Sequence, residues 1–422
     1  MGWTPTKGQQ VALDAINNLK PDHTIVVQGF AGVGKSTLLK IIAEQDDTVT
    51  LAAPTGKAAL RLSEVTDFPA CTIHRLLYLP VFDPATGQPK FKPTTPALRR
   101  DSLLIVDEAS MIQPKMWADI KDLQARKDLR VVLVGDGFQL PPVQPRGETP
   151  FSVMTDAFAK ENKAEKIELT EILRQAADSP IIKAATLIRN GDWYAALDVL
   201  PRIEPKWLIE ATARAEDRGV VICWTNDFRR KLNRSVREHL GYGEDFELDE
   251  PLLVMKNNYS IDAFNGEVVK FKGWAYPPNA VPRQVEDHWN DIHETIHFGA
   301  ARVKDDSIVT VAIEQINGQS RLNDASLERA AYNWLKDVAD RSWCPYVLDT
   351  ITRREVPCAP HLHCEFSYCQ TAHKAQGSEW PIAVTIFESA RMRGLKRKED
   401  EALRWTYTSI SRAREISAWC AL

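Results

Sequence analysis

Hydrophobic residues in this chain come in short unbroken runs, and each run stops at a polar motif. Thr24-Ile-Val-Val-Gln28 leads into Gly29-Phe-Ala-Gly-Val-Gly-Lys35-Ser36-Thr37, and Thr48-Val-Thr-Leu51 into Ala53-Pro54-Thr55-Gly56-Lys57. Ser102-Leu-Leu-Ile-Val106 leads into Asp107-Glu108-Ala-Ser110, and Arg130-Val-Val-Leu-Val134 into Gly135-Asp136-Gly-Phe-Gln139-Leu-Pro-Pro. Runs of this kind, rich in β-branched residues and without polar alternation, predict strands buried on both faces, as in a parallel sheet covered by helices. Ligand loops in such sheets lie at the carboxyl ends of the strands. A second series begins with Gly219-Val-Val-Ile-Cys223, which ends at Trp224-Thr225-Asn226, and resumes with Ile382–Ile386 and Ile416–Cys420. Two α/β units are therefore expected: residues 1–178, and residues 179–270 continued by 365–422, with the boundary near Ser179-Pro180. From about Phe271 to Cys364 the α/β pattern lapses and Trp, Pro and His become frequent, so 271–364 reads as an insertion. Around residues 77–96, two short runs flank a Pro/Gly-rich turn, which predicts a projecting hairpin.

The first motif carries the chemistry. Gly29, Gly32 and Gly34 let the backbone curl so that successive N–H groups face phosphate oxygens, and the following helix adds its positive end. Lys35 reaches the β- and γ-phosphates, Ser36 offers a hydroxyl to Mg²⁺, and Thr37 completes the turn. Directly after a buried strand, Asp107 can hold Mg²⁺ through water, and Glu108 can orient and deprotonate an attacking water. A lone Asp-Glu pair is usually a solvated loop; following a P-loop it points to nucleoside triphosphate hydrolysis.

Composition narrows the class without naming it. In 422 residues, 44% of them hydrophobic, there is material for several cores. No run approaches the roughly 20 apolar residues of a membrane span, and the first residues have no apolar signal core, so a cytoplasmic protein is expected. Seven cysteines without a CxxC pair predict reduced thiols. Cys358, His361, His363 and Cys364 lie close together, but their spacing fits no common zinc finger and they read as structural. A net charge of −4 excludes a coat of positive charge but not a local nucleic-acid groove.

Further motifs appear in a fixed order: Gln9, Leu169-Thr-Glu-Ile-Leu-Arg174-Gln, Thr371-Ala-His373-Lys374-Ala-Gln376-Gly377-Ser-Glu379-Trp, and Tyr407-Thr-Ser-Ile-Ser-Arg412-Ala-Arg414. Together with the P-loop and the strand-end motifs, this series resembles the RecD-like branch of the superfamily 1 helicases, over nearly the whole chain. The resemblance implies two RecA-like motor domains with parallel sheets, a β-hairpin pin within the first, and a small SH3-like β domain at 271–364. It implies ATP and Mg²⁺ as cofactors, Gln9 reading the adenine edge, and Gly377 and Glu379 lining the nucleotide. Gln9 also fits a capping box with Thr6, and the two readings are compatible. Gln139 would report the γ-phosphate to the DNA site, and Arg174 and Arg412 would reach the transferring phosphate.

On the DNA side, the resemblance implies contacts from Pro54, Thr55, Lys57, Thr72, His74, Thr225, Asn226, Thr371 and His373, with Phe82 or Phe91 of the pin against a duplex end. The implied activity is ATP-dependent 5′-to-3′ DNA unwinding in replication, repair or recombination. Single-stranded DNA and duplex junctions are the implied partners, alongside single-stranded-DNA-binding or replication proteins. A monomer in a bacterial or phage-infected cell is expected. A translocase that mainly displaces bound proteins, or a non-motor NTPase switch, is the alternative.

Overall fold

The computed structural model describes residues 4–422 apart from 84–87, 95, 97, 143–150, 174–177, 216–217, 244, 259–260, 262, 279–281, 288–291, 318, 341, 343, 345, 349–354, 358 and 389–398. The hydrophobic runs become strands because an extended, β-branched segment exposes apolar groups on both faces. Burying each Val, Leu or Ile stabilises the fold by about 1.5–3 kcal/mol. In the first unit these strands are β1 (Thr24–Gly29), β2 (Thr50–Ala53), β3 (Ala70–Thr72), β6 (Leu103–Val106), β7 (Arg130–Gly135) and β8 (Glu165–Leu169). Between β3 and β6, β4 (Tyr78–Asp83) and β5 (Gln88–Pro93) leave as a separate antiparallel hairpin.

The sheet runs β3-β2-β6-β7-β1-β8, with every pair parallel. Alternation splits its side chains between two cores. Val131 and Leu133 join Trp117 and Ile120 on one face, while Val132 and Val134 join Leu38, Leu39 and Ile42 on the other. β2 starts two residues later than its sequence suggests, because Asp46 Oδ1 accepts from the Thr48 N–H (2.8 Å) and hydroxyl (2.6 Å). This side-chain turn removes Thr48 from the ladder.

The second unit opens with a helix at Pro180–Arg189, where Pro180 occupies a first-turn position that needs no N–H. Its sheet starts with β9 (Gly219–Cys223) and then breaks off for a long β-rich stretch. That stretch comprises β10 (Pro251–Val254), β11 (Val268–Lys270), β12 (Trp274–Tyr276), β13 (Arg283–Asp287), β14 (Ile292–Ile296), β15 (Phe298–Arg302), β16 (Ile308–Ala312), β17 (Tyr346–Leu348), β18 (Glu355–Pro357) and β19 (Cys364–Phe366). The sheet resumes with β20 (Cys369–Thr371), β21 (Trp380–Phe387) and β22 (Ala413–Ala421), in the parallel order β20-β9-β21-β22.

Two three-stranded sheets, β11-β10-β19 and β12-β15-β16, close on one core of Leu252, Val254, Val269, Val309, Val311, Leu362 and Cys364. That core begins at Phe246, so residues before 271 also contribute to it. The stretch also holds a helix, Asp324–Val338, capped by Asn323 and carrying the fully buried Trp334. Among the described residues no helix is long and apolar enough to cross a membrane.

Candidate functional site

The order of the first sheet decides where the chemistry gathers. β2, β6, β7 and β1 are consecutive neighbours, so the loops after Ala53, Val106, Gly135 and Gly29 lie side by side along one edge. There they surround a cavity of about 480 Å³, lined by P-loop residues Gly32, Gly34, Lys35, Ser36 and Thr37 and by Asp107, Glu108, Asp136 and Gln139. Gly377, Glu379 and Arg412 close it from the second unit.

Gly34 caps helix α2 (Lys35–Gln45) at φ +78°, a conformation that costs other residues roughly 1–2 kcal/mol. A Cβ there would also lie 2.6 Å from Gln9 Nε2 and 2.9 Å from Leu173 Cδ1, so only glycine fits. No side chain caps α2, which leaves its first N–H groups for an anion. Lys35 Nζ donates to the carbonyls of Gly29 (2.8 Å) and Phe30 (3.1 Å), folded back over its own loop.

Burial, and secondarily the neighbouring Glu108, pushes the Asp107 carboxyl up to about 6. A half-buried carboxylate next to a second one is a site that a cation relieves. The Ser36 hydroxyl and the Asp107 carboxylate line this cavity and, with phosphate oxygens, would supply the hard oxygen set that suits Mg²⁺. When bound, that ion would neutralise phosphate charge. Glu108 has left-handed backbone (φ 50°, ψ 37°), sparsely populated for a non-glycine residue and typical of functional turns. Gln139 lines the same cavity and is buried, with its Oε1 unpartnered.

Arg412 is buried at the end of helix Glu399–Ile410. It donates to Thr408 O (3.1 Å), Ser378 O (3.2 Å) and Ser411 Oγ (3.1 Å), all in its own unit. Arg174 lies outside the described residues. Gln9 is buried, and its amide is fully used. Oε1 accepts from Thr6 N–H (2.9 Å), completing the capping box of α1 (Lys7–Asn17), while Nε2 donates to Val33 O (3.2 Å) and Gly34 O (3.4 Å). In this arrangement Gln9 braces the P-loop, and adenine recognition would require the amide to leave these bonds. Glu379 pairs with Arg61 (2.7 Å) across the cleft. Arg61 carried no motif signal of its own.

The DNA-side candidates share a device. Thr55, Thr72 and Thr225 are each the N-cap of a helix, their hydroxyls accepting from the Ala58, Arg75 and Phe228 N–H groups at 3.2, 3.1 and 3.1 Å. Thr371 caps Ala372–Ala375 without a side-chain bond. Because Ala53 pairs with Thr72, and Cys223 with Thr371, each unit brings two such helix starts to adjacent strand ends. Lys57 lies 4.5 Å over the Trp380 ring, and burial pushes it down to about 8. Asn226 and His373 are exposed and His74 is half-buried.

Pro54 and Thr72 are buried by the strand ends they terminate and present no side chain to solvent. Thr225 is engaged by Glu388, whose carboxylate accepts from the Trp224 N–H (3.2 Å), the Thr225 N–H (3.3 Å) and the Thr225 hydroxyl (3.3 Å). A carboxylate thus sits where the motif suggested phosphate, and no signal near Thr225 announced it. The hairpin register opposes Pro80 to Phe91 and Phe82 to Pro89, which places positions 82 and 91 on one face of the ribbon; their side chains lie outside the described residues. Elsewhere, His361 bonds Gln315 (3.1 Å) and His363 pairs with Asp324 (2.9 Å), while Cys364 is buried in the β core.

A P-loop and a carboxylate pair on one parallel sheet, with a buried arginine supplied by a second parallel sheet, define a two-unit P-loop NTPase. Residues 4–204 match the AAA domain family. The RecD2 DNA helicase of Deinococcus radiodurans is 29% identical over 426 residues, 96% of this chain and 48% of that protein. The Dda helicase of phage T4 is 32% identical over 204 residues, 44% of this chain and 43% of that protein. The chain thus spans about half the length of these curated relatives. The Pif1 helicase of Bacteroides, in complex with ADP-AlF3 and single-stranded DNA, shares the fold, with a TM-score of 0.53 at 18% identity over 99% of this chain and 92% of that one. The chain is thus similar in sequence to RecD-like DNA helicases and in fold to the Pif1 helicase.

Proposed function

We propose that this chain is an ATP-dependent DNA helicase in which two RecA-like units, 1–178 and 179–270 with 365–422, close on Mg²⁺·ATP and reopen after hydrolysis. The observation that carries the reading is a single cavity built from both units, with Lys35, Ser36, Asp107 and Glu108 on one wall and Arg412 on the other. Lys35 swings from its own loop carbonyls to the β- and γ-phosphates, exchanging neutral acceptors for charged ones. Ser36 and Asp107 would hold Mg²⁺, which would neutralise phosphate charge. Glu108 orients the attacking water and takes its proton, and Gln139 passes the state of the γ-phosphate to the strand site. Arg412 reaches the transferring phosphate only when the units are closed, which makes hydrolysis conditional on closure.

Paired helix starts in each unit give two grips for a phosphate backbone, which position a strand without reading its sequence. Thr55, Lys57 and His74 serve the first unit, and Asn226 and His373 the second, Thr371 being buried like Thr72. Alternating their affinity moves single-stranded DNA past the β4–β5 hairpin, where Phe82 and Phe91 meet the duplex end. The relatives named above are DNA helicases, which supports this substrate class. Movement in the 5′-to-3′ direction, the SH3-like character of the β insertion, a monomeric motor, replication-type protein partners and a cytoplasmic setting rest on the family resemblance.

The test is ATP hydrolysis with and without single-stranded DNA, followed by unwinding of duplexes with a tail on one end. Strong stimulation and unwinding from a 5′ tail are expected. Stimulation without unwinding would favour the protein-displacing translocase, and no stimulation would favour the switch.

A further inference from the structure

The loop from Asp136 to Leu140 belongs to the first unit but is held by the second. Arg404 donates to Gly137 O, Thr408 Oγ1 accepts from the Leu140 N–H (3.0 Å), and Gln376 Nε2 donates to Leu140 O (2.7 Å). At the centre stands Tyr407. Its hydroxyl donates to Asp136 Oδ2 at 2.5 Å and accepts from the Ala31 N–H of the P-loop at 3.2 Å. Asp136 is buried and Ala31 half-buried at the cavity wall, and the other oxygen of Asp136 accepts from the Phe138 N–H (2.9 Å). One phenol therefore ties together the P-loop, the loop carrying Gln139, and the helix that ends just before Arg412.

The ring and the hydroxyl of Tyr407 have separable roles. The ring is packed among Ala185, Ile188, Ile410 and Phe138, an apolar setting that phenylalanine would fill equally well. The hydroxyl is the only part that touches the first unit's polar groups. Without it, the buried Asp136 carboxylate loses a donor, which is costly in a dry interior, and a P-loop amide at the cavity wall loses its acceptor.

We propose that Tyr407 is a positioning residue for nucleotide hydrolysis: its hydroxyl sets the register of the helix leading to Arg412 against the P-loop and the Asp136–Gln139 loop. The proposal rests on the ATPase reading above. Losing the hydroxyl would let the helix slip relative to the phosphate site while leaving nucleotide and strand contacts in place. The penalty therefore falls on turnover and spares binding.

The experiment is Tyr407→Phe in the full chain, measuring kcat and KM for ATP with single-stranded DNA, the Kd of a labelled oligonucleotide, and the melting temperature. A fall in kcat of at least about tenfold is expected, the rate equivalent of one lost hydrogen bond to a charged group, with KM and DNA Kd within about twofold. Tyr407→4-aminophenylalanine, which restores a donor at the same place, should recover most of the loss. A Tyr407→Phe kcat within about twofold of wild type would overturn the proposal, as would a proportional loss of turnover, binding and melting temperature. A wild-type chain that hydrolyses no nucleotide would sink the ATPase reading and this proposal with it, whereas an active wild type matched by Tyr407→Phe sinks this proposal alone.

Discussion

Arg412→Ala separates structural from chemical roles sharply. The guanidinium is buried and donates to two backbone carbonyls and one hydroxyl; among the described residues no carboxylate pairs with it. Three charge-assisted hydrogen bonds at about 1.5–3 kcal/mol each would be lost. Against that, removing an unpaired buried cation returns its desolvation cost, which is of similar or larger size. The net change in stability is therefore small, and at about 2–4 °C per kcal/mol in a large domain the melting temperature should move by only a few degrees. Turnover should behave very differently. An arginine supplied across a cleft to a transferring phosphoryl group contributes about 10³-fold or more, roughly 4 kcal/mol of barrier.

The predicted outcome is a loss of about 10³-fold in DNA-stimulated kcat with ATP affinity nearly intact. Arg412→Lys should recover less than about tenfold of it, since an ammonium keeps the charge but lacks the planar fork. Steady-state ATPase assays, binding of a fluorescent ATP analogue and thermal melts read these three quantities. A kcat loss below about tenfold with binding and melting unchanged would refute the argument and leave Arg412 as a structural residue of its own unit.

Lys35→Ala should weaken nucleotide binding and hydrolysis together, whereas Glu108→Gln should retain ATP and lose turnover; equal affinity losses by calorimetry would contradict the assigned roles. The half-buried Lys57, at about 8, adds stability above its unfolded value and loses it as pH falls through about 8, but a DNA phosphate needs its ammonium. Fluorescence anisotropy should therefore show the Kd for single-stranded DNA rising above pH 8. Lys57→Arg should flatten that slope. Replacing Phe82 and Phe91 by Ala should spare DNA-stimulated ATPase while slowing unwinding, stacking being worth about 1–3 kcal/mol per base. Unwinding at the wild-type rate per ATP would leave the hairpin without that role.

Much of the nucleotide site was legible because its parts are local. A buried strand, a glycine turn and a helix start follow one another in sequence, so the P-loop and the Asp107-Glu108 turn are specified by neighbours along the chain. The parallel order of the sheet then aligns these strand ends. The helix Asp324–Val338 was also within reach, since Leu327, Ala331, Trp334 and Leu335 repeat at helical spacing, although the family resemblance implied only a small β domain there. The late start of β2 hung on one side-chain turn at Asp46.

Other features arise only when distant segments meet. Tyr407 and Asp136 are separated by 271 positions, and Thr225 and Glu388 by 163. Nothing near either residue marks its partner, because a buried hydroxyl or carboxylate finds its complement through space once two sheets have packed. The Gln9 amide could be read as a cap from its spacing, but its grip on Val33 and Gly34 depends on how α1 lies against the P-loop. The sequence by itself determined the chemistry of each strand end. The tertiary structure decided which of those ends share a cavity and which polar groups are already satisfied within the protein, since both depend on burial, and burial is a property of packed surfaces rather than of neighbours along the chain.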